Sequence, residues 1–236
     1  MDRQELRRKM YELEGASRAE RLTLAAMGAV WLGVAWWLLE GGGLATLGGW
    51  FGSAWTPGDA VRRACLAAGF SIYSVRILFT EFVFLKRGVS WSEVFTIAPW
   101  LLAIYLLLAI AGGRNAAPFG AAGALGTALF LAGSWMNSYS EYARHVWKQR
   151  PENRGRLYTE GLFRTSRHPN YLGDLVLFTG LCMISGALIT ALIPALMLAG
   201  FVFVNIPVLD SHLAQKYGAE FADYARRTRK LIPFVY

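Results

Sequence analysis

Residues 175–204 read LVLFTGLCMISGALITALIPALMLAGFVFV, a stretch with no charged side chain. A helix that crosses a bilayer needs about 20 predominantly apolar residues, so this stretch belongs in lipid. The residues directly before it, 161–174, read GLFRTSRHPNYLGD and form the densest polar cluster of the chain. A function for this protein has to explain why that polar cluster lies against a lipid-like segment.

Further apolar windows lie on the N-terminal side of this stretch. The chain has 236 residues, of which 55% are hydrophobic, more than a soluble domain of this length needs. Six windows approach the length of a span: about 22–39, 64–85, 94–111, 119–135, a fifth from near 171, and 188–204. We therefore predict an all-α, polytopic transmembrane helical bundle of about six spans, with five to seven compatible with the windows.

Basic residues alternate along the chain in the way that the positive-inside rule describes. The net charge is +8, and most Lys and Arg residues lie before the first window, after the second, between the fourth and fifth, and after the sixth. This asymmetry predicts that both termini are cytoplasmic and that segment 41–59 lies outside, as a loop or a re-entrant segment. The same rule explains most of the positive charge, so nucleic-acid binding is not predicted. No obligate protein partner is predicted either.

One integral membrane domain is expected over residues 1–236. Residues 1–21 are rich in charge and read as an amphipathic cytosolic or interfacial helix, with a disordered tail as the alternative. Cys65 and Cys182 lie in apolar segments and are interpreted as packing residues, and no metal-binding motif is apparent.

Several polar residues lie inside or at the ends of the windows. A charge in lipid costs at least about 2.5 kcal/mol, so such residues must face protein or water. They fall into four groups: Tyr73, Arg76, Thr80 and Glu81; Asn137, Glu141 and Arg144; Asn170, Tyr171 and Asp174; and Asn205, Asp210 and His212. The last three groups lie at cytoplasmic window ends, so we expect them to converge on one cavity. Guanidinium, amide and carboxylate groups together suit a large anionic ligand with a polar heterocycle.

His168 precedes Pro169 at the predicted start of a helix, beside the positive end of the helix dipole. A ligand contact, general acid–base catalysis and a structural role are all compatible with that position. The sequence contains neither a G-x-G-x-x-G motif between a strand and a helix nor a G-x-x-x-x-G-K-[ST] motif, so the usual soluble nucleotide-binding loops are not predicted.

Two segments carry a family signature. HVWKQRPENRGRLYTEGLFRTSRHPNYLGD (145–174) and PVLDSHLAQKYGAEFADYARRTRKLIPFVY (207–236) resemble the C-terminal domain of the steroid 5-alpha-reductase and sterol reductase superfamily, and are most similar to its bacterial branch, DUF1295. The resemblance covers roughly the last hundred residues, about 137–236, and identifies that region as a cofactor-binding part. It implies an enzyme in the bacterial inner membrane with its site facing the cytosol.

The resemblance implies NADPH as cofactor and reduction of a carbon–carbon double bond in a lipophilic, steroid-, sterol- or isoprenoid-like substrate that enters from the bilayer. The implied cofactor-binding residues are Asn137, Glu141, Arg156, Arg167, His168, Asn170, Tyr171 and Asp174. The polar groups at the window ends add Arg144 and Asp210 to this predicted set. YSVRILF (73–79) is similar to the segment whose tyrosine donates a proton to the substrate, which implies Tyr73. The family also uses an early glutamate, for which Glu81 and Glu40 are the candidates, with Glu81 chosen as catalytic.

Two other functions fit the same residues. Isoprenylcysteine carboxyl methyltransferases share the R-H-P-x-Y-x-G element and bind S-adenosylmethionine, although they carry paired glutamates where this chain has the single Asp210. A membrane scaffold without catalytic activity is the third possibility, and it would leave the buried polar groups without a purpose.

Overall fold

The regular structure is helical throughout the part of the chain that the computed structural model describes, residues 17–236. The all-α prediction is therefore confirmed there, while residues 1–16, most of the predicted amphipathic segment, lie outside the described range. The α-helices are α1 Arg18–Glu40, α2 Gly43–Trp50, α3 Ala60–Phe79, α4 Trp91–Gly113, α5 Gly120–Gln149, α6 Pro169–Ser185, α7 Leu192–Gly200, α8 Ile206–Tyr217 and α9 Ala219–Arg227.

Within residues 17–236, four helical segments are long and apolar enough to cross a membrane: Arg18–Glu40, Ala60–Phe84, Trp91–Gly113 and Leu188–Tyr217. The predicted fourth and fifth spans also form helices, α5 and α6, but six spans and cytoplasmic termini remain predictions. Large apolar side chains such as Phe79, Leu131 and Phe203 are more than half exposed on the outside of the bundle. Such a surface is unfavourable in water and suits contact with lipid.

Segment 41–59 is not simply a loop, because it contains the short helix α2. Gly42 precedes this helix with φ +80°, a conformation that glycine adopts without strain. A Cβ on Gly48 would lie 2.5 Å from the carbonyl oxygen of Ser53, so the chain folds back tightly after α2. The sequence prediction missed this helix because it took the glycines to mark irregular structure.

Helices α5 and α6 pack through glycines. A Cβ built on Gly133 would lie 2.4 Å from the amide nitrogen of Leu177, and one on Gly173 would lie 2.7 Å from that of Asn137. Gly126 and Gly180 make the same kind of contact seven residues away along the two helices. A Cβ on Gly180 would lie 2.5 Å from the Gly126 carbonyl oxygen. Small residues let two membrane helices bring their backbones together, and here two seven-residue glycine spacings do so.

Helix α5 continues beyond its apolar half as a polar helix. Its 30 residues extend about 45 Å at 1.5 Å per residue. The predicted fourth span, 119–135, covers only its first half. Because Gly133 fixes the register against α6, the polar half that follows begins beside the first turn of α6. This packing brings the predicted groups around Asn137 and Asn170 together.

A π-helical turn, Phe201–Asn205, lies between α7 and α8. Pro207, in the first turn of α8, has no N–H and its ring crowds the carbonyl four residues earlier, and a π turn relieves that strain. The helix therefore continues to Tyr217 instead of ending near Val204 as predicted. This continuation carries Asp210 alongside the start of α6.

A second π turn, Thr80–Phe84, ends the membrane segment of α3. Its freed carbonyl groups are satisfied by Arg21 of α1, which donates to the carbonyl oxygens of Glu81, Leu85 and Arg87. One guanidinium with several donors suits this task because helix C-termini leave carbonyl oxygens without partners. The contact fixes α1 against the end of α3.

A small second apolar cluster covers the polar end of the bundle. Leu157, Tyr158 and Phe163 from the α5–α6 connection pack against Phe221 and Tyr224 of α9. The Tyr224 hydroxyl donates to the Phe163 carbonyl oxygen over 2.7 Å, and burial raises the pKa of this hydroxyl, which keeps it a donor.

The C-terminal segment continues this cover. The amide nitrogens of Arg167 and His168 donate to the carbonyl oxygens of Arg229 and Lys230 over 2.8 and 3.1 Å. The C-terminal segment therefore holds the loop that leads into α6.

The predicted cytosolic position of the α5–α6 connection can be tested by cysteine labelling. Asn153 is unsuitable because it is buried and its side-chain amide donates to the Trp147 carbonyl oxygen, whereas Glu152 is exposed. We expect Glu152→Cys, in a background with Cys65 and Cys182 replaced by alanine, to react with an impermeant maleimide only after the inner membrane is opened. Ser53→Cys, in the exposed segment on the predicted outer side, is the control that should react in intact spheroplasts. Labelling of Glu152→Cys in intact spheroplasts would contradict the six-span arrangement.

Candidate functional site

Three residues from α5 and α6 form an amide–carboxylate cluster, Asn137, Glu141 and Asn170. The Asn137 side-chain amide donates to the Asn170 carbonyl oxygen over 2.9 Å, and the Asn170 side-chain amide donates to Glu141 Oε1 over 3.0 Å. Arg144 donates to the other Glu141 oxygen. Asn137 and Glu141 are buried, whereas Arg144 retains 39% exposure. The structure thus brings together two of the groups that the sequence placed at separate window ends.

Asp174 joins this part of the protein to α3. Its Oδ1 lies 2.9 Å from Nη2 of Arg76, and the Arg76 guanidinium lies over the Tyr73 ring, 4.8 Å from the ring centroid. The Tyr73 ring in turn meets Phe178 edge-on, with centroids 5.1 Å apart. A charged pair thus connects the first turns of α6 with the tyrosine in the middle of α3.

Arg167 pairs with Asp210 and not with Asp174, whose partner is Arg76. Asp210 accepts from Arg167 Nη2 over 3.1 Å on one oxygen and lies 3.0 Å from His168 Nε2 on the other. Arg167 and His168 are buried, at 9% and 1% exposure. We name these three residues the Asp210 cluster. It ties α8 to the loop before α6, and it leaves neither Asp210 oxygen without a partner.

The Tyr171 ring already has stacking partners within the protein. Its centroid lies 5.4 Å from that of His168 and 4.5 Å from that of Phe201, with nearly parallel planes in both cases. The His168 ring is therefore fixed by Asp210 at its edge and by Tyr171 across its face. This geometry favours the structural or ligand-positioning interpretations of His168 over direct proton transfer.

Further cationic side chains follow the amide–carboxylate cluster along α5 and in the connection between α5 and α6. Lys148 donates to the Arg156 carbonyl oxygen and to the Tyr217 hydroxyl. Burial lowers the pKa of Lys148, and the charge of Arg144 lowers it further. Arg156 and Arg164 are exposed. Neighbouring positive charges repel each other here, and a bound anion would relieve that repulsion. This part of the protein therefore favours an anionic ligand.

The two predicted catalytic residues do not form a pair. Tyr73 and Glu81 lie eight residues apart on α3 and its π turn, about 12 Å along a helix axis. Glu81 is 5% exposed, and within the described chain neither carboxylate oxygen has a hydrogen-bond partner. Glu40, the other early glutamate, pairs with Arg63 at 3.6 Å at the opposite end of α1. Neither of these two glutamates therefore serves as a partner for Tyr73.

Two grooves open on the outside of the bundle. The first groove, of about 470 Å³, lies between α3 and α5; the second, of about 350 Å³, lies mainly between α6 and α7 and has only apolar residues and one threonine around it. The first groove is lined by Ile72, Val75, Arg76, Phe79, Phe84, Trp135, Ser138, Tyr139 and Tyr142. The second is lined by Leu129, Leu172, Leu175, Val176, Thr179, Pro194, Ala195, Leu198 and Ile232.

Sequence reasoning underrated two features of the site. Arg76 was seen as part of a polar stripe but was not assigned to the site, although a charge in the middle of a span is itself a signal of function. The glycine spacings Gly126–Gly133 and Gly173–Gly180 were not read as a helix–helix contact. A search for small residues at a common spacing in two neighbouring spans would have found them.

Comparison with known proteins gives relatives of two kinds. The chain is 33% identical over 91 residues to protein-S-isoprenylcysteine O-methyltransferase B of Arabidopsis thaliana, covering 39% of this chain and 46% of that protein. It is 33% identical over 108 residues to the probable O-methyltransferase ustE of Ustilaginoidea virens, covering 45% and 37%. It is also 30% identical over 112 residues to human 3-oxo-5-alpha-steroid 4-dehydrogenase 2, covering 48% and 42%.

The matched part of the chain thus spans less than half the length of each of these curated relatives. Together with the four apolar helices, they indicate an integral membrane protein whose curated relatives are enzymes, and they confirm the resemblance seen in the sequence. Residues 89–228, more than half of the chain, match the family described as "Protein of unknown function (DUF1295)". The chain therefore belongs to the DUF1295 family, with reductases and O-methyltransferases among its relatives.

Proposed function

We propose that the protein is an NADPH-dependent reductase of a carbon–carbon double bond in a lipophilic substrate, with its cofactor site facing the cytosol. The observation that carries this proposal is the Asp174–Arg76 ion pair at 2.9 Å. It links the polar cluster at the start of α6, suited to a water-soluble ligand, to a tyrosine inside a membrane span. A reductase of this kind needs both environments within one site.

The residues present fit the chemistry of NADPH. Glu141 and Asn170 supply an acceptor and an amide for ribose hydroxyl and carboxamide groups, and they can exchange their mutual hydrogen bond for such contacts. Arg144, Arg156 and Arg164 are at least partly exposed and suit phosphate groups, which guanidinium forks bind bidentately. The Asp210 cluster holds the loop between these two sets.

When bound, NADPH supplies the hydride. The protein's own groups would position the substrate and complete the proton balance. The Tyr73 hydroxyl would donate its proton to the oxygen of a carbonyl conjugated with the double bond, which gives an enol that tautomerises to the saturated ketone. Arg76, above the Tyr73 ring, would stabilise the negative charge that develops on that oxygen and on the phenol. The surrounding apolar helices keep water from this reaction.

An S-adenosylmethionine-dependent O-methyltransferase is the second candidate, because two of the three relatives above are O-methyltransferases. This interpretation uses the same cytosolic cluster but gives Tyr73 and Arg76 no chemical step. In the methyltransferases that share R-H-P-x-Y-x-G, a pair of glutamates stands where this chain has Asp210. Here Asp210 is held by Arg167 and His168 on both oxygens.

Thermal unfolding in detergent separates the two candidates. We expect NADPH at about 100 times its Kd to stabilise the protein by about 2.7 kcal/mol, a rise of about 5–10 °C in Tm, and S-adenosylmethionine to have no effect. Glu141→Gln should lose most of this shift. Glu40→Gln, which alters a carboxylate–arginine pair at the other end of the bundle, should retain it. A shift with S-adenosylmethionine and none with NADPH would establish the methyltransferase instead.

A further inference from the structure

We infer that the second groove and the C-terminal segment, residues 228–236, together bind one anionic phospholipid of the surrounding bilayer. An acyl chain lies in the groove, and the phosphate lies against Arg227 and Arg229. The inference does not use the reductase assignment, because no residue that is assigned to the cofactor or to the substrate takes part in it.

The second groove suits a hydrocarbon chain. Among the described residues around it, only Thr179 is polar, and its hydroxyl donates to the Leu175 carbonyl oxygen over 2.7 Å. No group in the groove therefore needs a polar ligand. The groove opens beside α7, which lies within the apolar segment Leu188–Tyr217. A hydrocarbon chain from the bilayer is the ligand that such walls favour.

One end of the groove meets the C-terminal segment. Leu172, in the first turn of α6, and Ile232, in the C-terminal segment, both line it. The segment is fixed at this place, since the Arg229 carbonyl oxygen accepts from the Arg167 amide nitrogen over 2.8 Å. Three residues of chain span at most about 11 Å, so Arg229 lies within that distance of Ile232. The headgroup of a lipid whose chain fills the groove is therefore within reach of basic side chains.

Arg227 and Arg229 supply the positive charge. Both are exposed, and within residues 17–236 no carboxylate pairs with either of them, whereas the neighbouring Arg226 pairs with Asp223. Guanidinium groups bind phosphate bidentately, and basic residues next to a membrane attract anionic lipids. A zwitterionic headgroup would bring its own cation next to the two arginines, so the site favours a lipid with a net negative charge.

Phe234 presents an apolar side chain beside these charges. Among the described residues it is the one non-glycine residue with positive φ, at +66°, and it is 88% exposed, with Val235 at 74%. The turn that presents it is closed by the amide nitrogens of Leu231 and Ile232, which donate to the Tyr236 carbonyl oxygen over 2.6 and 2.9 Å. A strained backbone and an exposed ring are both unfavourable in water. Insertion of the ring among lipid chains offsets this cost, and apolar and basic residues together are typical of a segment that binds a membrane surface.

Native mass spectrometry of the full-length protein in detergent tests the inference. The probes are phosphatidylglycerol and phosphatidylcholine with the same two acyl chains. One phosphatidylglycerol should bind about tenfold more tightly than phosphatidylcholine, and Arg227→Gln/Arg229→Gln should lose about tenfold in affinity together with the preference. Lys216→Gln/Arg226→Gln is the matched control. It removes the same charge from exposed cations that already have partners, the Tyr217 ring and Asp223, and should stay within about twofold. Equal binding of the two lipids, or an equal loss in the control, would overturn the inference.

Two further variants locate the acyl chain. Thr179→Trp fills the second groove and should weaken phosphatidylglycerol binding about tenfold, whereas Ser138→Trp fills the first groove and should leave it within about twofold. Glycerol 3-phosphate, which has the phosphate and no chains, should not displace the lipid at an equal concentration. A loss of binding in Ser138→Trp and not in Thr179→Trp, or displacement by glycerol 3-phosphate, would contradict the placement of a chain in the second groove.

Phe234→Gly separates lipid insertion from a role in folding. Glycine adopts a positive φ without strain, so the Tm in lipid-free detergent should not fall, while the affinity for phosphatidylglycerol should decrease about fivefold because an inserted ring is lost. A lower Tm with unchanged lipid affinity would show that Phe234 serves the fold and would remove it from the site.

The two arginines could instead bind the anionic cofactor, and the same variant decides this. The inference requires that Arg227→Gln/Arg229→Gln keeps the NADPH-induced rise in Tm and loses phosphatidylglycerol. A loss of the NADPH response with retained lipid binding would assign both arginines to the cofactor and overturn the inference. If NADPH does not stabilise even the wild-type protein while the lipid binds as expected, the reductase assignment fails and the lipid site stands.

Discussion

Gly133→Leu is expected to lower the free energy of unfolding by at least about 3 kcal/mol and to abolish NADPH binding. A Cβ alone at this position would lie 2.4 Å from the Leu177 amide nitrogen and 2.5 Å from the Gly173 carbonyl oxygen. Both atoms belong to the α6 backbone, which cannot move aside as a flexible side chain can. Overpacking a well-filled contact costs 1–3 kcal/mol and occasionally more, and here the whole helix must be displaced.

The loss of cofactor binding follows from the same contact. Asn137 is four residues beyond Gly133 on α5, and its side-chain amide donates to the Asn170 carbonyl oxygen of α6 over 2.9 Å. If the two helices separate by even 1–2 Å, the donor–acceptor distances among Asn137, Glu141 and Asn170 become too long for hydrogen bonds. We therefore expect the substitution to disrupt the site even in molecules that remain folded.

Thermal unfolding with and without NADPH measures both effects. Gly133→Ala should give a smaller decrease in Tm in the same direction, because it adds only the Cβ. Gly33→Leu in α1 is the matched control, since a Cβ there would meet no atom within 4 Å. That variant should be neutral or slightly stabilising, because leucine favours helix more than glycine does. Wild-type Tm values for both Gly133 variants would show that α5 and α6 are not in backbone contact.

The presence and type of most elements could be predicted because membrane spans need long apolar windows. The same windows misplaced helix ends wherever polar sequence continues a helix in contact with protein. Helix α5 extends to Gln149, beyond the window that ended at Trp135, because its polar half packs first against the start of α6 and then, through Trp147, against the α5–α6 connection. Helix α8 extends to Tyr217 for a similar reason, through a π turn that hydropathy cannot indicate.

The convergence of polar residues was predictable, but their pairing was not. Three of the four candidate groups lie at predicted cytoplasmic window ends, so contact between two of them, around Asn137 and Asn170, followed from topology. Which acid meets which base depends on helix rotation and register, and for Asp174 these are set by the glycine contacts between α5 and α6. Proximity in the sequence would favour Arg167 as the partner of Asp174, because it lies only seven residues away. The structure gives Arg76, which lies 98 residues away in the chain.

Tyr73→Phe is expected to lower the rate of hydride transfer by about 10²–10⁴-fold, the usual contribution of general acid catalysis. The substitution removes one hydroxyl and keeps the ring, so the edge-on contact with Phe178 and the contact with Arg76 remain. NADPH binding should stay within about twofold of the wild type. Tyr105→Phe is the matched control, because its buried hydroxyl bonds to Ser74 and the Phe70 carbonyl oxygen and has no proposed chemical step.

Asp174→Asn should show the opposite pattern. We expect weaker NADPH binding by about 1–3 kcal/mol, as for the loss of a buried charge-assisted hydrogen bond, with a smaller effect on the rate of the bound complex. Arg76→Gln distinguishes direct contact from an indirect effect through the ion pair. If Asp174 touches the cofactor, Arg76→Gln should leave NADPH affinity within about threefold. An equal loss in both variants would mean that Asp174 acts by holding Arg76.

Two measurements on each variant separate the cofactor end of the site from the substrate end. One is an NADPH titration followed by Tm, and the other is the single-turnover decrease in NADPH absorbance with a carbonyl lipid that the wild type reduces. The assignment requires that Tyr73→Phe changes the rate and Asp174→Asn changes the affinity. Because the Arg76 side chain contacts both residues, a simple loss of packing would change both quantities in both variants. If Tyr73→Phe loses NADPH while Asp174→Asn keeps it, the two ends of the site are assigned the wrong way round.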